Sequence, residues 1–206
     1  EGPLEIDVSQ VSPRLAFIQK MTETLSLKLL YGKALRSPDL KAMGVANESL
    51  NSVVGAALPA GFDNLDAEKI TSYELGVSYD KANISTTLAT FYTVVTDQLG
   101  RESVLVEPSA PAKNLYRNKR GDSIGYGLEY EFKYAFNTRN ILNANAAWNM
   151  ANLPDNTVDK KKQFGAVPSY TTSVSYIKKW DKFSSSLVGY YMGTRRTDVN
   201  TQDPQG

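Results

Sequence analysis

Gly125-Tyr126-Gly127-Leu128-Glu129-Tyr130-Glu131-Phe132-Lys133-Tyr134-Ala135-Phe136 decides the fold. Tyr126, Leu128, Tyr130, Phe132, Tyr134 and Phe136 occupy every second position, and Gly125, Gly127, Glu129, Glu131, Lys133 and Ala135 stand between them. A helix would scatter such a series around its circumference. An extended strand places each set on its own face, one apolar and aromatic, the other small or charged.

The same split recurs on either side of this stretch. At 72–79, Tyr73, Leu75, Val77 and Tyr79 alternate with Ser72, Glu74, Gly76 and Ser78. At 142–150, Leu142, Ala144, Ala146, Trp148 and Met150 alternate with Asn143, Asn145, Ala147 and Asn149. Leu25, Leu27, Leu29 and Tyr31 form a further set, and weaker versions run through 14–20, 84–95, 170–179 and 183–192. About eight long strands are therefore predicted. Short polar connections at 21–24, 80–83, 137–140 and 180–182 pair them as antiparallel hairpins. Long connections at 36–66, 97–113 and 152–168, with the stretch after Thr194, fall at the opposite end. The charged run Tyr116-Arg117-Asn118-Lys119-Arg120 reads as a leader into the strand at Gly125, giving together a strand longer than a soluble sheet uses.

Composition removes many chemistries. The 206 residues contain no Cys and no His. That excludes disulfides, Cys or His zinc sites, haem attachment, a thiol nucleophile and a Ser-His-Asp relay. Lys and Arg number 23 against 22 Asp and Glu, so no broad electrostatic footprint for nucleic acid exists. The longest apolar run, 53–58, falls far short of the roughly 18–20 residues of a spanning helix. The chain begins at Glu1 without an initiator Met, basic region or apolar leader, so any export signal is expected to be lacking or to lie upstream.

Alternation suits a soluble β-sandwich as well as a membrane barrel. Three features favour the barrel. The segments run to about nine to twelve residues, the length a tilted strand needs to cross a bilayer. Connections alternate short and long, as outer-membrane barrels require. Aromatic residues close both ends of the apolar face, as Tyr73 with Tyr79 and Tyr126 with Phe136, where rings sit at membrane interfaces. Glu129, Glu131, Lys133, Asn143, Asn145 and Asn149 suit a water-filled lumen rather than a packed core. The expected fold is all-β, a transmembrane antiparallel up-and-down barrel. A passive porin or small closed barrel, and a soluble sandwich for binding or adhesion, are the alternatives.

Several motifs then resemble those of TonB-dependent outer-membrane receptors. Asn64-Leu65-Asp66-Ala67-Glu68, followed by Tyr73-Glu74-Leu75-Gly76, resembles the family's N-x-L-x-P-E-x-x-x-x-Y-E-L-G element, with Ala67 in place of Pro. Leu35-Arg36-Ser37-Pro38-Asp39-Leu40 resembles F-R-x-P-x-L, with Leu35 in place of Phe. The 88–96 segment, with Phe91-Tyr92, is similar to A-x-F-Y-x-x-x-x-D; Asn118 with Gly127-Leu128-Glu129-Tyr130-Glu131 is similar to N…G-x-E-x-E; and Ser12-Pro13-Arg14 is similar to S-P-R. The resemblance implies a 22-stranded barrel filled by an N-terminal plug. It further implies that residues 1–206 are one partial barrel domain, about eight strands from the C-terminal half, without the plug, the TonB-contact motif or the terminal aromatic strand. Such a piece alone is expected to aggregate or close non-natively.

Function follows from the resemblance: active import through the Gram-negative outer membrane of a scarce nutrient, by default a ferric siderophore, with haem, cobalamin and oligosaccharides as other substrates. The implied partners are that ligand, the TonB complex through the missing region, and outer-membrane lipid and lipopolysaccharide. No catalytic, metal or cofactor site is expected. Glu129 and Glu131, two apart on one face, read as lumen charges paired across strands with Lys133, Lys28 or Arg14 rather than as an acid–base pair. Gly121, Gly125 and Gly127 lack phosphate-loop spacing. Ligand contact is expected in the 36–66 loop, with Arg36, Arg117, Arg120, Lys160, Lys161, Lys162 and Arg195 as anion contacts near the strands' outer ends.

Overall fold

The computed structural model describes residues 11–38, 65–104, 113–152 and 168–194. Among the described residues every regular element is a strand: β1 Arg14–Lys20, β2 Leu25–Arg36, β3 Glu68–Lys81, β4 Ile84–Thr96, β5 Leu99–Val104, β6 Lys113–Asn118, β7 Ser123–Asn137, β8 Asn140–Asn152, β9 Tyr170–Lys179 and β10 Ser184–Met192. Eight of them form one antiparallel sheet in the order β1-β2-β3-β4-β7-β8-β9-β10, while β5 and β6 pair as a separate ribbon. The all-β, up-and-down expectation holds. The short turns lie at one end of the sheet and the long connections at the other.

Two boundaries differ from the reading of the sequence. The 97–113 connection is not all loop, because β5 and β6 fold back on each other within the wider link from β4 to β7. The Tyr116–Arg120 run is likewise not continuous with β7. Asn118 ends β6, and Gly121, with φ of 86°, turns the chain before β7 starts at Ser123. A glycine adopts that left-handed geometry without the steric cost of a Cβ.

Register fixes how the sheet is inclined. From the row containing Tyr73, the last bonded pair lies in the fifth row for β1–β2 (Lys20↔Ser26), the eighth for β3–β4 (Lys81↔Ile84) and the eleventh for β9–β10 (Lys179↔Ser184), with β7–β8 closing beside its register shift at Asn137↔Asn140. That is about one residue per strand. With roughly 3.3 Å per residue and 4.8 Å between strands, the strands tilt by about 35° from the normal to the line of turns. This lies at the edge of the range for outer-membrane barrels.

The faces follow the alternation. Leu15, Tyr31, Tyr73, Tyr92 and Tyr126 are directly paired across five neighbouring strands and share the apolar face. Many residues of this face are exposed, including Leu75, Leu88, Leu128, Trp148 and Leu187. Tyr126 and Phe136 lie ten residues apart on β7, about 27 Å along the normal at this tilt. Tyr170 and Trp180 repeat that spacing on and just beyond β9, two rows further along, the stagger two strands should give. The span matches an apolar band about 25 Å tall bounded by two aromatic girdles.

Two threonine hydroxyls on this face are satisfied by the backbone. Thr86 Oγ1 donates to the Glu131 carbonyl and Thr90 Oγ1 to the Gly127 carbonyl, each at 2.9 Å. In hydrocarbon an unpaired hydroxyl would cost several kcal/mol. The opposite face has no such need.

Candidate functional site

The polar face is built from the complementary set of the same strands. Ser26, Ser78, Thr87, Glu131, Asn145 and Ser173 form one row across β2, β3, β4, β7, β8 and β9. Asp80, Ser85, Lys133, Asn143 and Ser175 form the next but one towards the turns. Short side chains bond along the rows: Ser78 Oγ to Thr87 Oγ1 at 3.0 Å, Asn143 Nδ2 to Ser175 Oγ at 3.2 Å, and Asn145 Nδ2 to Ser173 Oγ at 3.3 Å. A hollow of about 410 Å³ opens among Ser85, Thr87, Glu131, Lys133, Asn143 and Ser175. These groups offer donors and acceptors to water or a polar solute without a fixed reacting centre.

Glu129 and Glu131 share this face, but the ion pairs among the described residues lie elsewhere: Arg36–Glu68, Lys69–Asp97 and Arg139–Asp181. The expected pairing of the two glutamates with Lys133, Lys28 or Arg14 does not form. Strand register explains it, since Lys28 faces Gly76, Arg14 faces Gly32, and Glu131 faces Thr87 and Asn145. Among the described residues no three His, Cys, Asp or Glu side chains gather as a metal site would.

A roomier cleft, about 760 Å³, lies on the apolar face among Leu15, Phe17, Leu29, Tyr31, Tyr73 and Tyr92. Its size does not make it the functional site. Its wall is hydrocarbon and aromatic ring, the surface that acyl chains wet in a bilayer-spanning sheet.

At the long-loop end the sheet is knotted together by a polar junction. The Asn118 side chain acts as a peptide surrogate: its Oδ1 accepts from Asp66 N at 2.8 Å, and its Nδ2 donates to the carbonyls of Asp66 at 2.9 Å and Asp97 at 2.6 Å. Glu68, buried to 4% exposure, accepts from Leu99 N at 2.8 Å and pairs with Arg36 at 3.2 Å. The Gln98 carbonyl accepts from Lys119 N at 2.7 Å, and its side-chain oxygen accepts from the buried Ser123 hydroxyl. The β5–β6 ribbon is thereby tied to the ends of β2, β3 and β7. Burial raises the value of the bonds made by Glu68 and Ser123, because either group left unpaired there would lose its hydration without replacement.

The residues expected to meet a ligand fall into two groups. Arg36 closes β2, with its guanidinium exposed and held by Glu68. Arg117 lies on β6, and Arg120 is exposed in the turn before β7, both at the same loop end. Lys160, Lys161, Lys162 and Arg195, and the 39–64 part of the long loop, lie outside the described residues. Glu68, Gln98 and Ser123 were not singled out as junction residues. For Glu68 the sequence signal is its place in the Asn64–Gly76 motif, beside Asp66 and 50 positions before Asn118.

An inclined antiparallel sheet with one lipid-compatible face, one wet face and long connections at a single end is a section of outer-membrane barrel. The chain belongs to the TonB dependent receptor-like, beta-barrel family, whose pattern matches residues 3–206. That family resides in the outer membrane of Gram-negative bacteria, and its members are transporters and receptors. Solved structures show the same fold. The FrpB iron transporter of Neisseria meningitidis aligns with TM-score 0.65 and 19% identity over 90% of this chain and 27% of its own. The ferric enterobactin receptor PfeA of Pseudomonas aeruginosa gives 0.66 and 17% over 88% and 27%. The ferric citrate transporter FecA gives 0.65 and 16% over 88% and 25%. The chain thus spans about a quarter of the length of these relatives. No curated protein matches it.

Proposed function

We propose that residues 1–206 are one section of the barrel wall of a receptor that captures a scarce nutrient outside the cell and imports it with energy transmitted through TonB. A ferric siderophore is the default cargo. Three similar structures are of proteins that handle iron, ferric enterobactin and ferric citrate, and another is a copper transporter, so a metal or its chelate is the cargo class these similarities support. The plug and the TonB contact belong to other parts of the receptor. The chain itself performs no catalysis.

The observation that carries this reading is the pairing of a polar wall with a buttressed loop end. The junction at Glu68 and Asn118 fixes the base of the β5–β6 ribbon to the long-loop end of the sheet, and Arg36, Arg117 and Arg120 stand at that same end. An anionic ferric chelate would be drawn to such cations and then pass a wall that offers only weak, replaceable hydrogen bonds. In the full-length receptor, reversing Arg36, Arg117, Arg120, Lys160, Lys161, Lys162 and Arg195 to Glu, singly and in groups, should weaken ferric-siderophore binding. Uptake of the labelled chelate should stop in cells lacking TonB. Unchanged affinity across the set would remove these residues from the binding surface, and TonB-independent uptake would overturn the transport reading.

A further inference from the structure

At the opposite end of the sheet, the turns after β7 and β9 form a corner that the transport reading does not use. The Trp180 and Phe183 rings stack with centroids 4.5 Å apart and planes 23° from parallel, yet Phe183 remains 62% exposed. Lys178 holds its ammonium 5.0 Å from the Trp180 ring centroid. Arg139 on the neighbouring turn bonds to Asp181, and Tyr176 donates its hydroxyl to Asn140 Oδ1 at 2.7 Å, so the two turns are held as one unit. Leu142, Val174 and Leu187 continue the apolar face away from this corner.

Charge and position identify the occupant. The two turns and their flanking strand ends carry Arg139, Lys178, Lys179 and Lys182 against the single acid Asp181, whose charge Arg139 already meets. Short turns of outer-membrane barrels face the periplasm, so the corner meets the inner, phospholipid leaflet and not the lipopolysaccharide leaflet. Stacked rings at interfacial depth, with ammonium groups just beyond and an aliphatic track behind, match an anionic glycerophospholipid: phosphate towards Lys178 and Lys182, acyl chain along Val174 and Leu187. We infer that this corner is a binding site for an anionic phospholipid of the phosphatidylglycerol class. The inference rests on the outer-membrane location and is independent of the nutrient carried.

The full-length receptor, purified in detergent and supplied separately with phosphatidylglycerol, phosphatidylethanolamine or lipopolysaccharide, tests it by native mass spectrometry. Each lysine near a lipid surface is worth about fivefold in affinity, so Lys178→Ala with Lys182→Ala should lower phosphatidylglycerol retention about 25-fold. The Lys→Glu pair at the same positions should lower it further, and phosphatidylethanolamine should be held weakly by every form. As a control, Lys28→Ala with Lys133→Ala, on the polar face, should leave retention unchanged. Equal retention of the zwitterionic and anionic lipids, preference for lipopolysaccharide, or undiminished phosphatidylglycerol binding in both lysine-pair variants would each overturn the site.

Discussion

The ring of Phe91 lies over Gly127: a Cβ built on that glycine would stand 2.7 Å from the ring and 2.5 Å from the Trp148 carbonyl. The two residues are direct partners on β4 and β7, and both belong to the polar face. The aromatic ring fills the space that a glycine in mid-strand leaves open, and it covers the local backbone. Gly127→Ala should therefore destabilise the barrel by about 1–3 kcal/mol through overpacking. Adding Phe91→Ala should recover only part of the loss, since the carbonyl contact remains. Urea unfolding of the full receptor in micelles measures both.

Asn118 replaces a peptide group at the base of the β5–β6 ribbon. Asn118→Ala removes three hydrogen bonds, and the amide of Asp66 loses its acceptor. Exchange of that amide should accelerate about tenfold or more, as expected when a bond worth roughly 1.4 kcal/mol is lost. Glu68→Gln keeps an acceptor for Leu99 N, so exchange at Leu99 should change little. Equal acceleration at Leu99 in the Gln variant would mean that the charge on Glu68, rather than its geometry, holds the ribbon.

The turn between β3 and β4 carries a strained residue. Ala82 has φ of 50°, in the left-handed region where a Cβ crowds the carbonyl. Two-residue hairpins favour glycine at such a position. Ala82→Gly should raise stability by about 0.5–1 kcal/mol, read as a higher urea midpoint with an unchanged slope.

The face assignment predicts alternating environments along β3. Spin labels on single cysteines at Tyr73, Leu75 and Val77 should collide more with oxygen, which concentrates in lipid. Labels at Glu74, Gly76 and Ser78 should collide more with a water-soluble nickel complex. A uniform response along the six positions would contradict a strand with one lipid-facing and one wet side.

The eight wall strands were legible in the sequence because each is forced to alternate by two different solvents. The residues of β7 show this most plainly, with aromatic side chains on one side and Glu129, Glu131 and Lys133 on the other. The β5–β6 ribbon was not legible. It stands outside the main sheet, where no bilayer or second layer imposes a period on Leu-Gly-Arg-Glu-Ser-Val or Lys-Asn-Leu-Tyr-Arg-Asn. The junction was visible only as motif fragments. The carboxylate of Glu68 reaches a backbone amide 31 positions away, and Asn118 meets Asp66 across 52, separations that no local pattern encodes. The pairing predicted for Glu129 and Glu131 failed for a related reason. Alternation assigns a side chain to a face, but only the strand register chooses its neighbour.

The advance of about one residue per strand has a consequence for size. Once inclination is set, the width of a closed barrel depends on the number of strands alone. If the 22 strands that the family resemblance implies close at about 35°, they enclose a bore about 40 Å across between backbones. That is room for a folded domain rather than a molecule-sized channel. An empty ring of this width would leak periplasmic proteins, which agrees with the plug that the family resemblance implies.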